Sequence, residues 1–300
     1  MKNMKKIAAL LLALVMLLAL CACGGSNADT STADDSAADT AAADENADSV
    51  AGPDADTADA DAADADTDAA SGDEGTLTTI SAGKLTMATS PDFPPYEFLD
   101  DSGNTTGIEP EILALIASKL GLELQIDEMD FDSALMAVQT GKSDLVVSGV
   151  TVTDDRKLVM NFTDSYTTAV QVIVVPEGSS VTLDNLGEQS IGTQRGTTGY
   201  LFTVDDYGED HVIGYDTYTS VFQALLNGQV DCAVLDDAVA RAYVEQNPGL
   251  TILETEYVVE EYAFGVDKNN EALLEAVNNA LKELVDDGTV QGIIDKYISG

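Results

Sequence analysis

From Gly24 to Thr76 the chain carries sixteen Asp and Glu and not one Lys or Arg, and runs such as DTADADAADADTDAA hold almost nothing that a core could use. Like charges repel and Ala side chains are too small to compensate, so this stretch is expected to stay extended and disordered. The part able to fold is thereby limited to residues 77–300. That part has ten Lys and Arg against 38 Asp and Glu, a net charge of −28. Such a balance excludes nucleic acid as a partner, because binding it needs a basic footprint. It leaves small ligands open, since a pocket sets its own local field. A flexible linker of this length spans about 40 Å before charge repulsion stretches it further, which suits a tether.

The other end of the tether is explained by what precedes it. Lys2, Lys5 and Lys6 lead into fourteen apolar residues, Ile7 to Leu20. A membrane-spanning helix needs roughly 20, so the pattern reads as a secretory signal over residues 1–22. It ends in Leu20-Cys21-Ala22-Cys23-Gly24, which resembles a bacterial lipobox, with Cys23 the expected lipidated residue, because small Ala22 suits the cleavage position better than Leu20 would for Cys21. The alternative is an ordinary secreted protein that loses both cysteines. Cys232 is then the one further cysteine of the mature chain, so no internal disulfide framework is expected. Its neighbours Ala233, Val234 and Leu235 favour an inert buried thiol.

Beyond residue 77, short apolar runs alternate with helical periods. Strands are expected at Lys84–Thr89, Leu122–Ile126, Leu145–Val147, Ile191, Val212–Tyr215, Cys232–Leu235 and Thr251–Leu253. Ile112, Leu115, Ile116 and Leu120 recur at helical spacing and stop at Gly121. Further helices are expected at Phe131–Gln139, Thr198–Val204, Thr219–Leu226 and Ala238–Gln246, and a last one with Leu273, Val277, Leu281 and Leu284 on one stripe. This alternation argues an α/β fold on largely parallel sheets. Two long strand-like stretches, Ala169–Val175 and Val258–Val266, could cross between two lobes as a hinge.

Ligands of open α/β sheets sit beyond the carboxyl ends of the strands, and polar residues collect there. Ser90 and Phe93 follow the first strand, Phe131 the second and Ser148 to Thr151 the third, while Gly196-Thr197-Thr198 follows Ile191 and Asp236 follows Leu235. Arg156, one of only three arginines, comes directly after VVSGVTVTDD. A guanidinium with hydroxyls and bare amides makes an anion site, helped by the amides where Thr198 opens a helix. An aspartate beside it makes a cation site. Taken singly, Phe93 and Phe131 read as core, Arg156 as a surface ion pair with Asp154 or Asp155, and Asp236 as a helix cap.

Together, ATSPDFPPYEF, MDFDSALMAVQTGKSDLVVSGVTVTDDR, IGTQRGTTG and DCAVLDD followed by EYAFGV resemble the extracellular solute-binding proteins of polar amino-acid ABC transporters. The resemblance runs from Lys84 to Tyr297. It implies a two-lobed type II periplasmic-binding fold: two mixed sheets flanked by helices and joined by a two-strand hinge, with residues 77–168 and 265–300 in the first lobe and 169–264 in the hinge and second lobe. It also implies a monomer without cofactor, metal or catalytic residues, held on the outer face of the cytoplasmic membrane by the lipid on Cys23, that delivers a free amino acid to permease subunits. In that family pattern Arg156 clasps the ligand carboxylate with Thr151 and the Thr198 amide. Asp236 and the Gly149 carbonyl hold the ammonium, Phe93 and Phe131 flank the side chain, and Ser148 adds neutral contacts. Many relatives have an acid where this chain has Ser90, and Glu97 and Gln194 are the candidates to replace it. The alternative is an enzyme on the same fold, such as a cyclohexadienyl dehydratase; against it, the sole histidine, His211, lies near the end of an inter-element segment and reads as a surface residue, and the sequence offers no Ser-His-Asp or metal set.

Overall fold

The computed structural model describes residues 77–253 and 257–298; Cys23, the signal sequence and the acidic stretch up to residue 76 lie outside them. The chain begins β1 (Lys84–Thr89), β2 (Asp92–Phe93), β3 (Glu97–Leu99), β4 (Thr105–Thr106), α1 (Ile108–Lys119) and β5 (Glu123–Glu128). It continues α2 (Phe131–Gln139), β6 (Leu145–Val146), α3 (Asp154–Val159), β7 (Met160–Phe162), β8 (Thr167–Pro176), β9 (Ile191–Gln194) and α4 (Thr198–Tyr207). Then follow β10 (Val212–Tyr215), α5 (Tyr218–Leu226), β11 (Cys232–Asp236), α6 (Asp237–Gln246), β12 (Leu250–Ile252) and β13 (Val258–Tyr262). The end is β14 (Gly265–Asp267), α7 (Glu271–Asp286) and α8 (Thr289–Ile298).

Two main sheets result, ordered β5-β1-β6-β14-β7 and β10-β9-β11-β8-β12, with β13 also paired to β8, and β2-β3-β4 form a small third sheet. Within each main sheet the βα units are parallel, β1 with β5 and β6, and β9 with β10 and β11. The strands that connect the sheets run antiparallel to these, β14 against β6 and β8 against β11. The sheets are therefore mixed rather than largely parallel.

The chain passes from the first sheet to the second between β7 and β8, and returns between β13 and β14. The stretch Val258–Val266, expected as one strand, divides there. Val258 to Tyr262 pair with Gln171 to Thr167 of β8, whereas Gly265 and Val266 pair with β6 and β7. Phe264 marks the change: its N–H donates to Thr163 Oγ1 at 3.1 Å and its carbonyl accepts from Thr163 N at 3.1 Å. Two neighbouring crossing segments of this kind let two lobes rotate without breaking either sheet.

The helices cover the sheets with the expected stripes. Leu273, Val277, Leu281 and Leu284 of α7 are all buried, each contributing about 1.5–3 kcal/mol of apolar burial. In α1 the buried face is Ile112, Leu113 and Ile116, and Leu115 faces outward. The helix ends where Gly121 takes φ 68°, a conformation that favours glycine. Cys232 is a buried free thiol in β11, pushed up to about 12 chiefly by burial and so kept in its unreactive protonated form.

Candidate ligand pocket

β1, β6, β9 and β11 end at a common cleft, and the residues that follow them line a narrow pocket. Ser90, Phe93, Phe131, Ser148, Gly149, Thr151 and Arg156 line it from elements attached to the first sheet. Gln194, Thr198 and Asp236 line it from the second, together with Thr197, which the sequence reading did not single out as a site residue.

Arg156 is not a surface residue. It lies 8% exposed, its Nη1 donating to the Thr151 carbonyl at 2.8 Å and its Nη2 to the Gly196 carbonyl at 3.0 Å. The guanidinium carbon stands 5.4 Å from the Phe131 ring centre, a cation–π contact. Asp154, expected as an alternative partner, pairs with Lys157 instead, and no ion pair among the described residues includes Arg156. Burial draws its pKa down to about 10, with the charge of Glu260 opposing, so it stays cationic at neutral pH. A buried cation whose hydrogen bonds go to carbonyls, with no carboxylate in direct contact, is poised for an anion. The position follows from local structure: Thr153 caps α3 by accepting from Arg156 N, which turns the arginine inward on the first turn.

Thr197 caps α4 in the same way. Its Oγ1 accepts from Tyr200 N at 3.2 Å and donates to the Gln194 carbonyl at 2.7 Å, so the helix opens into the pocket at Thr198. Helix N-termini carry unpaired amides and partial positive charge. Thr198 Oγ1 lies 3.5 Å from Thr151 Oγ1, and Thr151 donates to Glu260 Oε2 at 2.9 Å. Gln194 Nε2 donates to the Asp216 carbonyl at 3.0 Å.

Asp236 takes the N-cap position of α6 but makes no side-chain capping bond. Its Oδ1 is buried without a hydrogen-bond partner among the described residues, as is Oε1 of neighbouring Glu260. Burial, then the charge of Glu260, holds the Asp236 carboxyl well above the usual range. A cation placed against Oδ1 would oppose both effects and favour the charged carboxylate.

Glu97 is where the sequence reading fails. It does not line the pocket. It is completely buried in β3 behind the wall, its Oε1 accepting from Ser148 Oγ at 2.8 Å, and Ser148 Oγ accepts in turn from Ser90 N at 3.1 Å. A naked charge there would be costly, and burial, followed by the neighbouring Glu109 carboxylate, raises its pKa well above normal. Glu97 therefore acts only through Ser148 and is not a charge offered to a ligand. Glu109 was missed; its carboxylate accepts from Gly149 N at 3.0 and 3.1 Å and from Tyr166 Oη at 2.6 Å. Gly149 needs φ 56°, and a Cβ there would meet Phe93 Cε1 at 2.5 Å, so glycine is required for the ring to approach. Glu260 was also missed, although the alternation in β13, which buries Glu260 and exposes Glu261, was a readable signal.

Residues 85–300 match the bacterial extracellular solute-binding proteins, family 3. The chain belongs to that family. As a family-3 solute-binding protein it has the two-lobed type II periplasmic-binding fold that its two sheets and paired crossing strands describe. The probable histidine-binding protein of Neisseria gonorrhoeae is 30% identical, over 76% of this chain and 88% of its own. Among solved structures, the arginine-, lysine-, histidine-binding protein ArtJ of Geobacillus stearothermophilus is 31% identical with a TM-score of 0.69, over 72% of this chain and 96% of its own. An ancestral arginine-binding protein bound to glutamine is 38% identical with a TM-score of 0.69, over 73% of this chain and all of its own.

Proposed function

We propose that this family-3 protein captures a free amino acid with a cationic or amide side chain outside the cytoplasm and delivers it to an ABC permease. The observation that carries the reading is one pocket lined by both a buried arginine that is in no ion pair among the described residues and a buried aspartate oxygen without a hydrogen-bond partner among them. Opposite charges in one dry pocket fit the carboxylate and ammonium of an amino acid. Arg156, Thr151 and the Thr198 amide take the carboxylate, Asp236 and the Gly149 carbonyl the ammonium, and Phe93 and Phe131 the side chain. Glu260 stands beside Asp236 without lining the pocket and adds negative potential there, which favours a cation. The amino acids that the relatives are named for, histidine, arginine and lysine, agree with this. The sheet memberships support a first lobe of residues 77–168 with 265–300 and a second of 169–264, closing on the ligand. The lipobox-like Leu20 to Gly24 supports anchoring through Cys23.

A calorimetric titration of the wild-type protein with the twenty amino acids tests the reading. Arginine, lysine, histidine or glutamine should bind tightest, and aspartate and glutamate weakest. Removing one partner of a desolvated charge pair costs about 2–5 kcal/mol, so Arg156→Ala should weaken binding at least about 30-fold. Arg156→Lys should also fail, because a point charge lacks the two-pronged geometry. Unchanged affinity in a folded Arg156→Ala protein would refute the clamp.

A further inference from the structure

Asp92 joins the two lobes without lining the pocket. It opens β2 in the small sheet of the first lobe, and its side chain faces the second. Oδ2 accepts from Tyr218 N, the first amide of α5, at 2.6 Å, while Oδ1 is held by Ser90 Oγ at 2.8 Å. From α6 the Tyr243 hydroxyl donates to the Asp92 carbonyl at 2.8 Å. The two receiving helices are fixed to each other, because the Tyr243 ring stacks on Phe222 of α5 at 4.2 Å and 6°.

The bond to Tyr218 is not needed to form α5. Thr217 already caps that helix, its Oγ1 accepting from Ser220 N at 3.1 Å. What Asp92 adds is a charged acceptor at a helix N-terminus that belongs to the other lobe, where charge and dipole attract. Opening the lobes about the two crossing segments would break both the Tyr218 and the Tyr243 contacts, and closing would restore them.

We infer that Asp92 is an interlobe latch: it ties the first lobe to α5 and α6 of the second, and so sets the lifetime of the closed, ligand-bound state without touching the ligand. The inference rests on the proposed capture of an amino acid by closing lobes. A group that stabilises only the closed state changes the competent fraction, and this scales the apparent affinity for every ligand by one factor. It slows dissociation without altering which ligand is preferred.

The test compares wild type, Asp92→Ala and Asp92→Asn as full-length proteins with L-arginine and L-glutamine. Calorimetry gives affinity, stopped-flow gives dissociation, small-angle scattering gives compaction, and melting without ligand gives stability. Hydrogen bonds to charged groups suggest that Asp92→Ala loses at least about tenfold in affinity. The loss should appear as faster dissociation, by the same factor for both ligands, with less compaction on binding and an unchanged ligand-free melting temperature. Asp92→Asn should recover part of it, since its one amide oxygen, turned toward α5, can take the Tyr218 N–H that Oδ2 of Asp92 accepts. Unchanged affinity and dissociation in Asp92→Ala would overturn the latch, as would a loss confined to one ligand or one matched by a lower ligand-free melting temperature. Wild type that binds no amino acid would overturn the proposed function and the latch with it, whereas normal wild-type binding beside an unaffected Asp92→Ala overturns the latch alone.

Discussion

Glu97 and Glu109 are two completely buried acids whose side chains converge on one pocket loop, through Ser148 Oγ and Gly149 N. Oε2 of Glu97 is buried and has no donor among the described residues; a proton shared with Glu109 would supply one. Both acids are raised from 4.5, chiefly by burial. The folded state therefore binds more protons than the unfolded state above about pH 4.5, and stability contributed below that pH is lost as pH rises through the folded pKa. Glu97→Gln keeps the acceptor for Ser148 and provides a permanent donor toward Glu109. Since an unsatisfied buried group costs about 1–3 kcal/mol, and 1 kcal/mol is worth about 2–4 °C at this size, the variant should melt several degrees higher at pH 7. Its melting temperature should also fall less between pH 5 and 8. A variant that melts lower at pH 7 would reject the shared proton. Nothing in the one-dimensional order of ATSPDFPPYEF could place Glu97 behind Ser148, because its position depends on how β3 folds back on β2.

Elements with enough residues to show a period were legible, and short ones were not. α2 and β10 occupy the spans expected for them, and α4 begins at the expected Thr198 and runs on to Tyr207. Strands of two or three residues, such as β2 and β4, carry no alternation to read. α3 has six residues and leaves Leu158 and Val159 exposed, so no apolar stripe announces it, although it aims Arg156. The cap of α4 is where sequence and geometry meet most directly. Losing such a cap costs about 1 kcal/mol, so Thr197→Ala should lower the melting temperature by about 2–4 °C. It should weaken ligand binding as well, because Thr197 Oγ1 also orients the Gln194 carbonyl at the pocket edge. Thr197→Ser should restore both; if Thr197→Ala binds and melts as wild type does, Thr197 is not the cap that positions this end of the site.

At the scale of the whole molecule stands the proposed anchor at Cys23, which rests on the lipobox-like Leu20 to Gly24. Cys23→Ala should then release the protein into the culture medium, measured by fractionation; retention on membranes while Cys21→Ala frees it would move the anchor to Cys21. The amino-acid order by itself determined the α/β class, most strand and helix positions among the described residues, and ten of the pocket-lining residues, Ser90 and Arg156 among them. It could do so because apolar periodicity, glycines and caps act over a few residues. Only the tertiary structure decided that Val258–Val266 changes sheets, that Glu97 stands behind the pocket wall, that Glu260 backs Asp236, and that Asp92 reaches across to α5. Those outcomes depend on contacts between residues as far apart as 89 positions for Gln171 with Glu260 and 126 for Asp92 with Tyr218. Local pattern holds no information about such pairs until packing and the exclusion of water bring them together.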